Sequence, residues 1–501
     1  MYQLNHLEDT IVAISTPVGR GGIGIVRLSG KKTLAICDEL FVSKKNKKPS
    51  RFKSFTVHYG WAVHKRGGTR VPGRPRRDES STMAGPPARS SQAINPSVAE
   101  LTDFEIIDEV LLTIMRAPKS YTKEDVAEIS CHGGIVVVKA ILERAVELGA
   151  RLAEPGEFTK RAFLNGRLDL TQAEAVLDII QAKTDRFLNM SLNQLKGDLT
   201  VQLESIREAL MQIYVQLEAI VNFPEDDIDP AGRKKMLEDI GSIENHINRL
   251  LQSAEHGRIL KEGIKIVICG KPNVGKSSLL NVLLRTPRAI VTDVAGTTRD
   301  TIEETLQIKG IPFQLIDTAG ILKPRDQVEE EAIKRSKLSI ENADLILFVL
   351  DGNAHIDAGD EALIRVLRDK NILIAVNKSD LPQRISDQNL QDRLGNKKIL
   401  RISALKRTAI EDLEQAIVEN VWKGEIADNP GVCLSNIRHV KILEECRDSV
   451  VKAVSISQEG MSAEFISEEI KSAVNFLDSL TGKNIDRDLL DKIFSAFCIG
   501  K

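Results

Sequence analysis

The chain has 501 residues and a formal net charge of −2, with 42% hydrophobic and 28% charged residues. This length predicts two to four domains, and the ordinary composition excludes wholesale disorder and fibrous repeats. Because 69 basic residues are balanced by 71 acidic ones, the chain is no polycation that coats nucleic acid, and any RNA contact must be a local patch.

The cysteine pattern and the N-terminus predict a cytoplasmic protein without a membrane partner. The six cysteines lie far apart and form no zinc-binding pattern. The first ten residues lack the basic start and apolar run of a signal peptide, and no apolar run reaches about 18 residues. Aromatic residues make up only 4% of the chain, which disfavours stacking platforms for single-stranded nucleic acid.

The first part of the chain predicts an α+β domain over residues 1–155. Apolar runs and glycines alternate over 11–27, as in a strand, a tight loop and a second strand. Ile106–Met115 predicts another strand, and Ile135–Leu148 a helix. Residues 66–98 are rich in Arg, Gly, Pro and Ser, which predicts a disordered insertion or, alternatively, a basic RNA-contacting arm.

Helical patterns occupy 156–262 and return over 425–501, which we interpret as two halves of one helical domain. Thr171 and Glu174 have the spacing of a capping box at a helix start. One long apolar stripe follows, which predicts a single long helix with its core-facing side at Leu192, Leu195, Leu199, Leu203, Ile206, Leu210, Ile213 and Leu217. Core packing explains such stripes; a partner-binding face is the alternative.

Residues 263–424, between these halves, predict an inserted P-loop domain with a mostly parallel sheet. The apolar strand Ile264–Cys269 leads into the loop Gly270–Ser277, and a helix begins near Ser278. In such a loop, backbone N–H groups approach phosphate, Lys276 meets the β and γ oxygens, and Ser277 ligates magnesium.

Three further motifs follow at the ends of apolar strands and predict that the nucleotide is GTP. The Asp380 carboxylate can accept two hydrogen bonds from guanine, a pattern that adenine cannot offer. In the motif Asp317-Thr318-Ala319-Gly320, the Asp317 carboxylate would lie near magnesium and the Gly320 N–H near the γ-phosphate. The motifs are Asp317-Thr318-Ala319-Gly320, Asn377-Lys378-Ser379-Asp380 and Ser403-Ala404-Leu405.

The residues for hydrolysis depart from those of Ras-like proteins. Ile321 stands where a water-orienting glutamine is usual. Two substitutes are visible: the Asn273 amide, which can hold a monovalent cation against the phosphates, and the segment 292–300, where Thr298 can ligate magnesium while carbonyls close over that cation. Asn273 is alternatively a turn residue of the loop.

Several stretches outside these motifs resemble the MnmE (TrmE) family of tRNA-modifying GTPases. Together with Asn273 and the switch Asp293–Asp300, the match covers nearly the whole chain except residues 66–98. The stretches are Ser130-Cys131-His132-Gly133-Gly134, Glu154-Pro155-Gly156-Glu157-Phe158, Phe163-Leu164-Asn165-Gly166-Arg167-Leu168-Asp169-Leu170, Thr171-Gln172-Ala173-Glu174 and Phe497-Cys498-Ile499-Gly500-Lys501.

The resemblance implies a three-part homodimer. Its parts are an N-terminal domain that dimerises and binds formyl-tetrahydrofolate, a discontinuous helical domain, and an inserted Ras-like G domain. It also implies a flavoprotein partner, MnmG, in a heterotetramer or larger complex. Together they would place a carboxymethylaminomethyl or aminomethyl group on carbon 5 of the tRNA wobble uridine, with GTP hydrolysis stimulated by potassium when two G domains pair.

The resemblance further implies the roles of individual residues. Glu329 would orient the attacking water, although the residues by themselves favour a solvated member of an acidic run. Cys498 invites a nucleophile's role in tRNA modification, with packing as the alternative. Potassium would be held by Asn273, Thr292, Val294 and Thr297, magnesium by Ser277 and Thr298, and the folate by Arg27, Glu128, Arg167 and Lys501. The GTP contacts beyond the base and Asp317-to-Gly320 motifs would be Asn273, Val274, Gly275, Lys276, Ser277, Ser278, Thr292, Asp293, Val294, Ala295, Gly296, Thr297 and Thr298.

Two other functions stay open from the sequence. A ribosome-assembly GTPase shares the G domain but needs an RNA-binding appendage. Gly19-Arg20-Gly21-Gly22 formally matches the GXXG loop of a KH domain, but it lies between predicted strands. A non-enzymatic dimer scaffold that uses GTP as a conformational timer is the third possibility.

Overall fold

The computed structural model describes residues 8–17, 19, 21–44, 46–65, 104–222, 230–284, 303–317, 338–422 and 431–501. The predicted insertion at 66–98 lies outside these ranges. The chain divides into two compact units, Met1–Ala173 with Ile485–Lys501, and Glu174–Asn484. In the described part of the chain, no helix combines the length and apolar character that crossing a membrane requires.

The first unit is built on a seven-stranded sheet. Its order is β3-β4-β5-β6-β2-β1-β7, antiparallel except for the β1–β7 pair. Two helices share one core with alternate strand residues, so they cover one face of the sheet. The strands are β1 (Ile11–Ile14), β2 (Ile23–Ser29), β3 (Phe41–Ser43), β4 (Thr56–Lys65), β5 (Phe104–Met115), β6 (Val126–His132) and β7 (Arg151–Leu152), and the two helices are α1 (Thr33–Leu40) and α2 (Ile135–Glu147).

The strand, loop and strand predicted over 11–27 are confirmed as β1 and β2, and the strand and helix predicted after them as β5 and α2. β1 and β2 pair in an antiparallel arrangement, so the segment that contains Gly19, Gly21 and Gly22 connects two strands, whereas a KH-type loop connects helices.

The end of the chain folds back onto the first unit. The Phe158 backbone N–H donates to the Lys501 carbonyl over 3.1 Å, and the Gly156 N–H donates to the Cys498 carbonyl over 3.3 Å. Helix α3 (Glu157–Leu164) thereby holds the C-terminal residues. The compact unit includes segments that the sequence analysis assigned to the helical domain; the three-domain boundaries stay a prediction.

The helical part of the second unit confirms that two distant halves of the chain form one domain. Helices from both halves bury their apolar sides in one core, which contains Leu203, Leu210, Leu443 and Ile470. The helices are α4 (Leu170–Gln181), whose first residues belong to the first unit, α5 (Asp185–Lys196), α6 (Asp198–Asn222), α7 (Pro230–Gln252) and α8 (Ala254–Glu262). After the inserted domain the chain continues with α13 (Ile437–Gln458) and α14 (Ala463–Thr481), and α15 (Arg487–Ser495) follows in the first unit.

The single long helix predicted from Leu192 to Leu217 is wrong. Gly197 adopts φ +99° and ends α5, so the stripe divides between α5 and α6. A left-handed glycine closes a helix without the steric cost that other residues carry. The part of the stripe from Leu199 to Leu217 is buried as predicted, whereas Leu192 is exposed.

The predicted capping box is displaced by two residues. The Asp169 carboxylate accepts from the Gln172 N–H over 2.9 Å, and the Gln172 side chain accepts from the Asp169 N–H over 3.0 Å. This reciprocal pair satisfies the orphan donors at the start of α4. Glu174 is therefore free for tertiary contacts with α13, which were not predicted.

The buried Glu174 carboxylate receives donors from the start of α13. Arg438 Nη2 lies 2.8 Å from Glu174 Oε2, His439 Nε2 lies 2.5 Å from the same oxygen, and the Asn436 amide donates to Oε1 over 3.1 Å. Burial raises the pKa of Glu174, but the His439 and Arg438 side chains outweigh it and hold that pKa at about 2, below its ordinary 4.5.

The inserted domain has a six-stranded sheet of order β13-β12-β11-β8-β10-β9, and only β9 is antiparallel. The mostly parallel sheet is confirmed. Its strands are β8 (Ile264–Cys269), β9 (Glu303–Ile308), β10 (Ile311–Asp317), β11 (Leu345–Asp351), β12 (Ile372–Asn377) and β13 (Ile399–Arg401). The described helices are α9 (Lys276–Leu284), α10 (Ala358–Leu367), α11 (Asp387–Leu394) and α12 (Ile410–Val421).

Glu174→Gln is expected to lower the free energy of unfolding by about 3 kcal/mol at pH 7, because it leaves the largely buried Arg438 guanidinium without its counter-charge. The folded-state pKa lies below the ordinary one, so the carboxylate stabilises the fold above pH 4.5 and this contribution is lost as the pH falls toward 2. The difference between variant and parent should therefore shrink over that window. Guanidinium titrations measure it.

Glu444→Gln, on an exposed position of α13, is the matched control and should unfold with the parent. An unfolding midpoint of Glu174→Gln equal to that of the control at pH 7 contradicts the stabilising role.

Candidate nucleotide-binding site

The loop between β8 and α9 has the backbone conformation of a phosphate cradle. Gly270 and Gly275 have φ of +149° and +101°, and Asn273 has φ +65°. A Cβ on Gly270 would lie 2.3 Å from the Val349 carbonyl, and one on Gly275 would lie 2.2 Å from Asn377 Nδ2. Both positions therefore require glycine, for conformation and for space.

Lys276 begins α9, and its ammonium lies 2.9 Å from the Gly270 carbonyl and 2.7 Å from the Lys271 carbonyl. The positive charge of Lys276 thus lies against the backbone of the loop that precedes α9. Ser277 and Ser278 occupy the first turn of the same helix, whose N-terminus carries partial positive charge. These residues fit a triphosphate with its magnesium ion: backbone N–H groups and Lys276 would hold the phosphates, and Ser277 would hold the metal.

Asn377 ties the cradle to the base-binding loops. It lies at the end of β12 and is buried. Its amide donates to the Val274 carbonyl over 2.8 Å and accepts from the Ala404 N–H over 3.0 Å. One side chain thus fixes the P-loop relative to the Ser403-Ala404-Leu405 segment, so the loops that follow β8, β12 and β13 meet at one edge of the sheet.

The residues expected to read the base lie together beside Asn377. Asp380 is exposed and accepts from the Ser403 hydroxyl over 2.5 Å. That hydrogen bond holds the pKa of Asp380 below its ordinary value and keeps the carboxylate ionised. The Lys378 ammonium pairs with Asp351 at 2.5 Å. Leu405 is 81% exposed, and its backbone remains available to a base.

Only some of the predicted triphosphate contacts fall on described residues. Asp317 ends β10, and its backbone pairs with Ile268 of β8, the strand that leads into the cradle; its role near magnesium stays a prediction. The other residues predicted to contact the phosphates, the cations or the attacking water lie outside the described residues. They are Thr292, Asp293, Val294, Ala295, Gly296, Thr297, Thr298, Thr318, Ala319, Gly320, Ile321 and Glu329. The hydrolytic water and most potassium ligands therefore remain predictions.

Lys271 is a residue of this loop that the sequence analysis missed. Its ammonium lies 2.6 Å from Asp357 and 2.8 Å from Asp360, the two residues that form the capping box of α10. Burial lowers the pKa of Lys271, but the two carboxylates outweigh it and leave the pKa above its ordinary value. The salt bridges fasten the outer side of the cradle to α10. The spacing of Asp357 and Asp360 is typical of a helix start and could have predicted α10. It does not indicate that Lys271 pairs with them.

A second candidate site surrounds Arg27 in the first unit. The Arg27 guanidinium pairs with Glu128 at 2.8 Å and donates to the Gly500 carbonyl over 3.1 Å. It lies 5.9 Å from the Tyr121 ring centroid, and Arg167 lies 4.8 Å from the same centroid. Two of the four predicted folate residues, Arg27 and Arg167, thus lie beside the Tyr121 ring, and a third, Glu128, is paired with Arg27. The sequence analysis missed Tyr121.

The fourth predicted folate residue and the candidate nucleophile lie on the adjoining C-terminal tail. The Lys501 carbonyl accepts from the Phe158 N–H, and the Phe158 ring lies 5.6 Å from the Arg27 guanidinium. Cys498 is exposed, and its carbonyl accepts from Gly156 and Lys501. A planar heterocycle with carboxylates fits this set of two aromatic rings, two guanidinium groups and one carboxylate.

Comparison with known proteins adds two domain matches. Residues 170–498 match the profile of the MnmE helical domain, and residues 10–167 match that of the GTP-binding protein TrmE N-terminus. The tRNA modification GTPase MnmE of Alkaliphilus oremlandii is 40% identical over 496 residues, which cover 99% of this chain and 100% of that protein. The protein of the same name from Desulforamulus reducens is 42% identical over 496 residues, with the same coverage.

Among solved structures, Aquifex aeolicus Era bound to GDP·AlF4⁻ is 27% identical, covering 37% of this chain and 66% of that one, at a TM-score of 0.27. A TM-score at this level supports no conclusion about fold or function.

Asp380→Asn is expected to weaken GTP binding about 100-fold or more, because an amide N–H replaces an acceptor that faces guanine N–H groups. Xanthine nucleotides, which carry an oxygen in place of the 2-amino group, should bind the variant better than the parent. Competition against a fluorescent GDP measures both affinities. Asp392→Asn, the same charge change on an exposed position of α11, is the control, and an unchanged preference for GTP in Asp380→Asn would refute the assignment.

Proposed function

The chain belongs to the MnmE family of tRNA modification GTPases, and from this premise we propose that it hydrolyses GTP to GDP and phosphate in order to modify tRNA. The observation that carries the proposal is the Asn377 amide, which joins the phosphate cradle to the base-reading loop. Asp380, which is held by the Ser403 hydroxyl, would read the guanine, and Lys276, which lies against the carbonyls of its loop, would meet a β or γ oxygen.

We propose that the modified atom is carbon 5 of the wobble uridine, which receives a carboxymethylaminomethyl or aminomethyl group. A flavoprotein partner supplies the redox chemistry, and this chain acts as a homodimer within a larger complex. The family membership supports this assignment, since the relatives with this name match along the whole chain.

We propose that the Arg27 site binds a one-carbon folate. The Arg27–Glu128 pair and Arg167 lie around Tyr121, and a carboxylate such as Glu128 pairs with the guanidine-like edge of a pterin. The one-carbon unit would be carried there, beside the tail that bears Cys498. Arg167 and the Lys501 side chain would meet the folate carboxylates.

Hydrolysis in the proposed mechanism depends on a potassium ion. Asn273 stands at the turn of the P-loop in a left-handed conformation, where its amide oxygen would hold the ion beside the phosphates, together with Thr292, Val294 and Thr297. Potassium would supply the positive charge that an arginine finger supplies elsewhere. Glu329 would orient the attacking water, and Ser277 with Thr298 would hold magnesium.

Analysis of tRNA nucleosides tests the function. In a strain that lacks this gene, the wobble-uridine modification should disappear, and the parent gene should restore it. A complemented strain with the same modified nucleosides as the deletion strain refutes the assignment. Cys498→Ser tests the nucleophile: loss of modification with intact GTP hydrolysis supports it, whereas unchanged nucleosides assign Cys498 to packing.

Asn273→Ala is expected to lose the stimulation of GTP hydrolysis by potassium, because the methyl group offers no oxygen to the cation. The rate in potassium should fall at least about tenfold, to that in sodium, the size expected when a positioned charge is removed. Steady-state phosphate release in the two salts measures it. Equal rates of the parent in potassium and sodium would contradict the potassium mechanism while leaving GTP binding in place.

A further inference from the structure

The hairpin β9–β10 is the covalent link between the two segments predicted to close over GTP. β9 begins at Glu303, shortly after Thr298, and β10 ends at Asp317, the first residue of the Asp317-to-Gly320 motif. Any movement of either segment with the γ-phosphate therefore pulls on this hairpin. Among the described residues, β9 is the edge strand of the sheet and has β10 as its one strand neighbour.

The hairpin packs against helices that lie outside the G domain. Its apolar residues Leu306, Ile308, Ile311 and Phe313 share one buried cluster with Phe187 and Met190 of α5 and with Ile259 and Leu260 of α8. β10 is also bound to the end of α8, because the Gln314 amide donates to the Glu262 carbonyl over 3.0 Å. A shift of the hairpin must therefore move these helices or break a close-packed interface.

The tip of the hairpin touches Arg186, in the first turn of α5. Lys309 and Gly310 have φ of +49° and +81°, and these two positive values define a tight two-residue turn between Ile308 and Ile311. A Cβ on Gly310 would lie 2.5 Å from Arg186 Nε and 2.6 Å from its Cδ. The bare glycine thus lets the arginine side chain lie across the turn.

An open volume lies beside β10, the second strand of the hairpin. A cleft of about 810 Å³ borders β10 and the ends of α4 and α8, and its lining includes Lys183, Lys265 and Gln314. The hairpin is thus held at its tip and along its apolar face, while its polar side faces an open volume. An element that is packed against helices passes a shift on to them, whereas an unpacked loop does not.

We propose that the Arg186–Gly310 contact is the joint that transmits the state of the nucleotide from the G domain to the helical domain. Arg186 is proposed as a positioning residue, which acts through the hairpin that it contacts at Gly310. The inference rests on the proposed GTPase function. It adds the contact through which a change of the bound nucleotide would alter the helical domain.

Hydrogen exchange on the full-length protein tests this joint. The parent is compared in GDP and in GDP with aluminium fluoride and potassium, and amide exchange is read over α5 and α8. We expect a difference between the two states in the parent and none in Arg186→Ala. The variant should hydrolyse GTP within about twofold of the parent, while tRNA modification falls about tenfold, within the range of measured coupling between sites.

Glycine variants separate the contact from backbone strain. Gly310→Ala adds both a strained φ and a clash with Arg186, whereas Gly395 has a similar φ of +75° with nothing within 4 Å of its ideal Cβ. Gly395→Ala should therefore keep the exchange difference, and Gly310→Ala should lose it. Gly310→Ala combined with Arg186→Ala relieves the clash and should fold as stably as Gly395→Ala, yet still lack the difference.

The outcomes are decisive in each direction. A full exchange difference in Arg186→Ala, or equal behaviour of the two glycine variants, overturns the inference. So does a parent that shows no difference in α5 and α8 between the nucleotide states. If the parent responds to nucleotide but restores no wobble modification, the proposed function fails and the joint stands.

Discussion

A bare glycine on α8 lets the two segments that flank the inserted G domain touch, and the arrangement of the second unit depends on that contact. A Cβ on Gly257 would lie 2.1 Å from the Leu434 carbonyl, so no other residue fits without moving the backbone. The Leu434 N–H donates to the Ser253 hydroxyl over 3.1 Å. A domain can be inserted into another only where the chain leaves and returns at neighbouring points, and here α8 and residues 434–435 are those points.

Helix α4 binds both segments that connect the inserted G domain to the helical domain. Glu174 binds Asn436, Arg438 and His439 on the returning segment, and Asp178 pairs with Lys261 at 2.9 Å on the departing one. The two carboxylates are four residues apart and therefore lie on one face of the helix. Because both are nearly buried, their bonds are stronger than surface ion pairs would be. The G domain is thus attached to the helical domain through α4. The Arg186 contact with the β9–β10 hairpin comes from α5, the next helix along the chain.

The nucleotide site shows how little of a phosphate cradle depends on side chains. Its conformation comes from Gly270, Asn273 and Gly275, and its position from a single buried amide, Asn377. Salt bridges from Lys271 to α10 secure the outer side. Preformed backbone donors need little rearrangement when an anion arrives, which is why such a site can spend binding energy on the γ-phosphate and on the segments that close over it. The Arg27 site is assembled differently, from residues far apart in the chain around Tyr121.

The sequence by itself determined about half of the strands, among them β1, β2, β5 and β8, together with the order of the nucleotide motifs and the two helical halves, because each follows from local rules: alternation, glycine geometry and helical spacing. The same rules failed where two local signals competed, as at Gly197, where a left-handed glycine overrode a continuous apolar stripe, and at Asp169, which took the cap assigned to Thr171. Only the tertiary structure decided the partners of Glu174, Lys271 and Arg186, since each bond joins residues far apart along the chain. The sequence around a charged side chain does not indicate which distant group will neutralise it, because the partner is decided by how the helices and strands pack together.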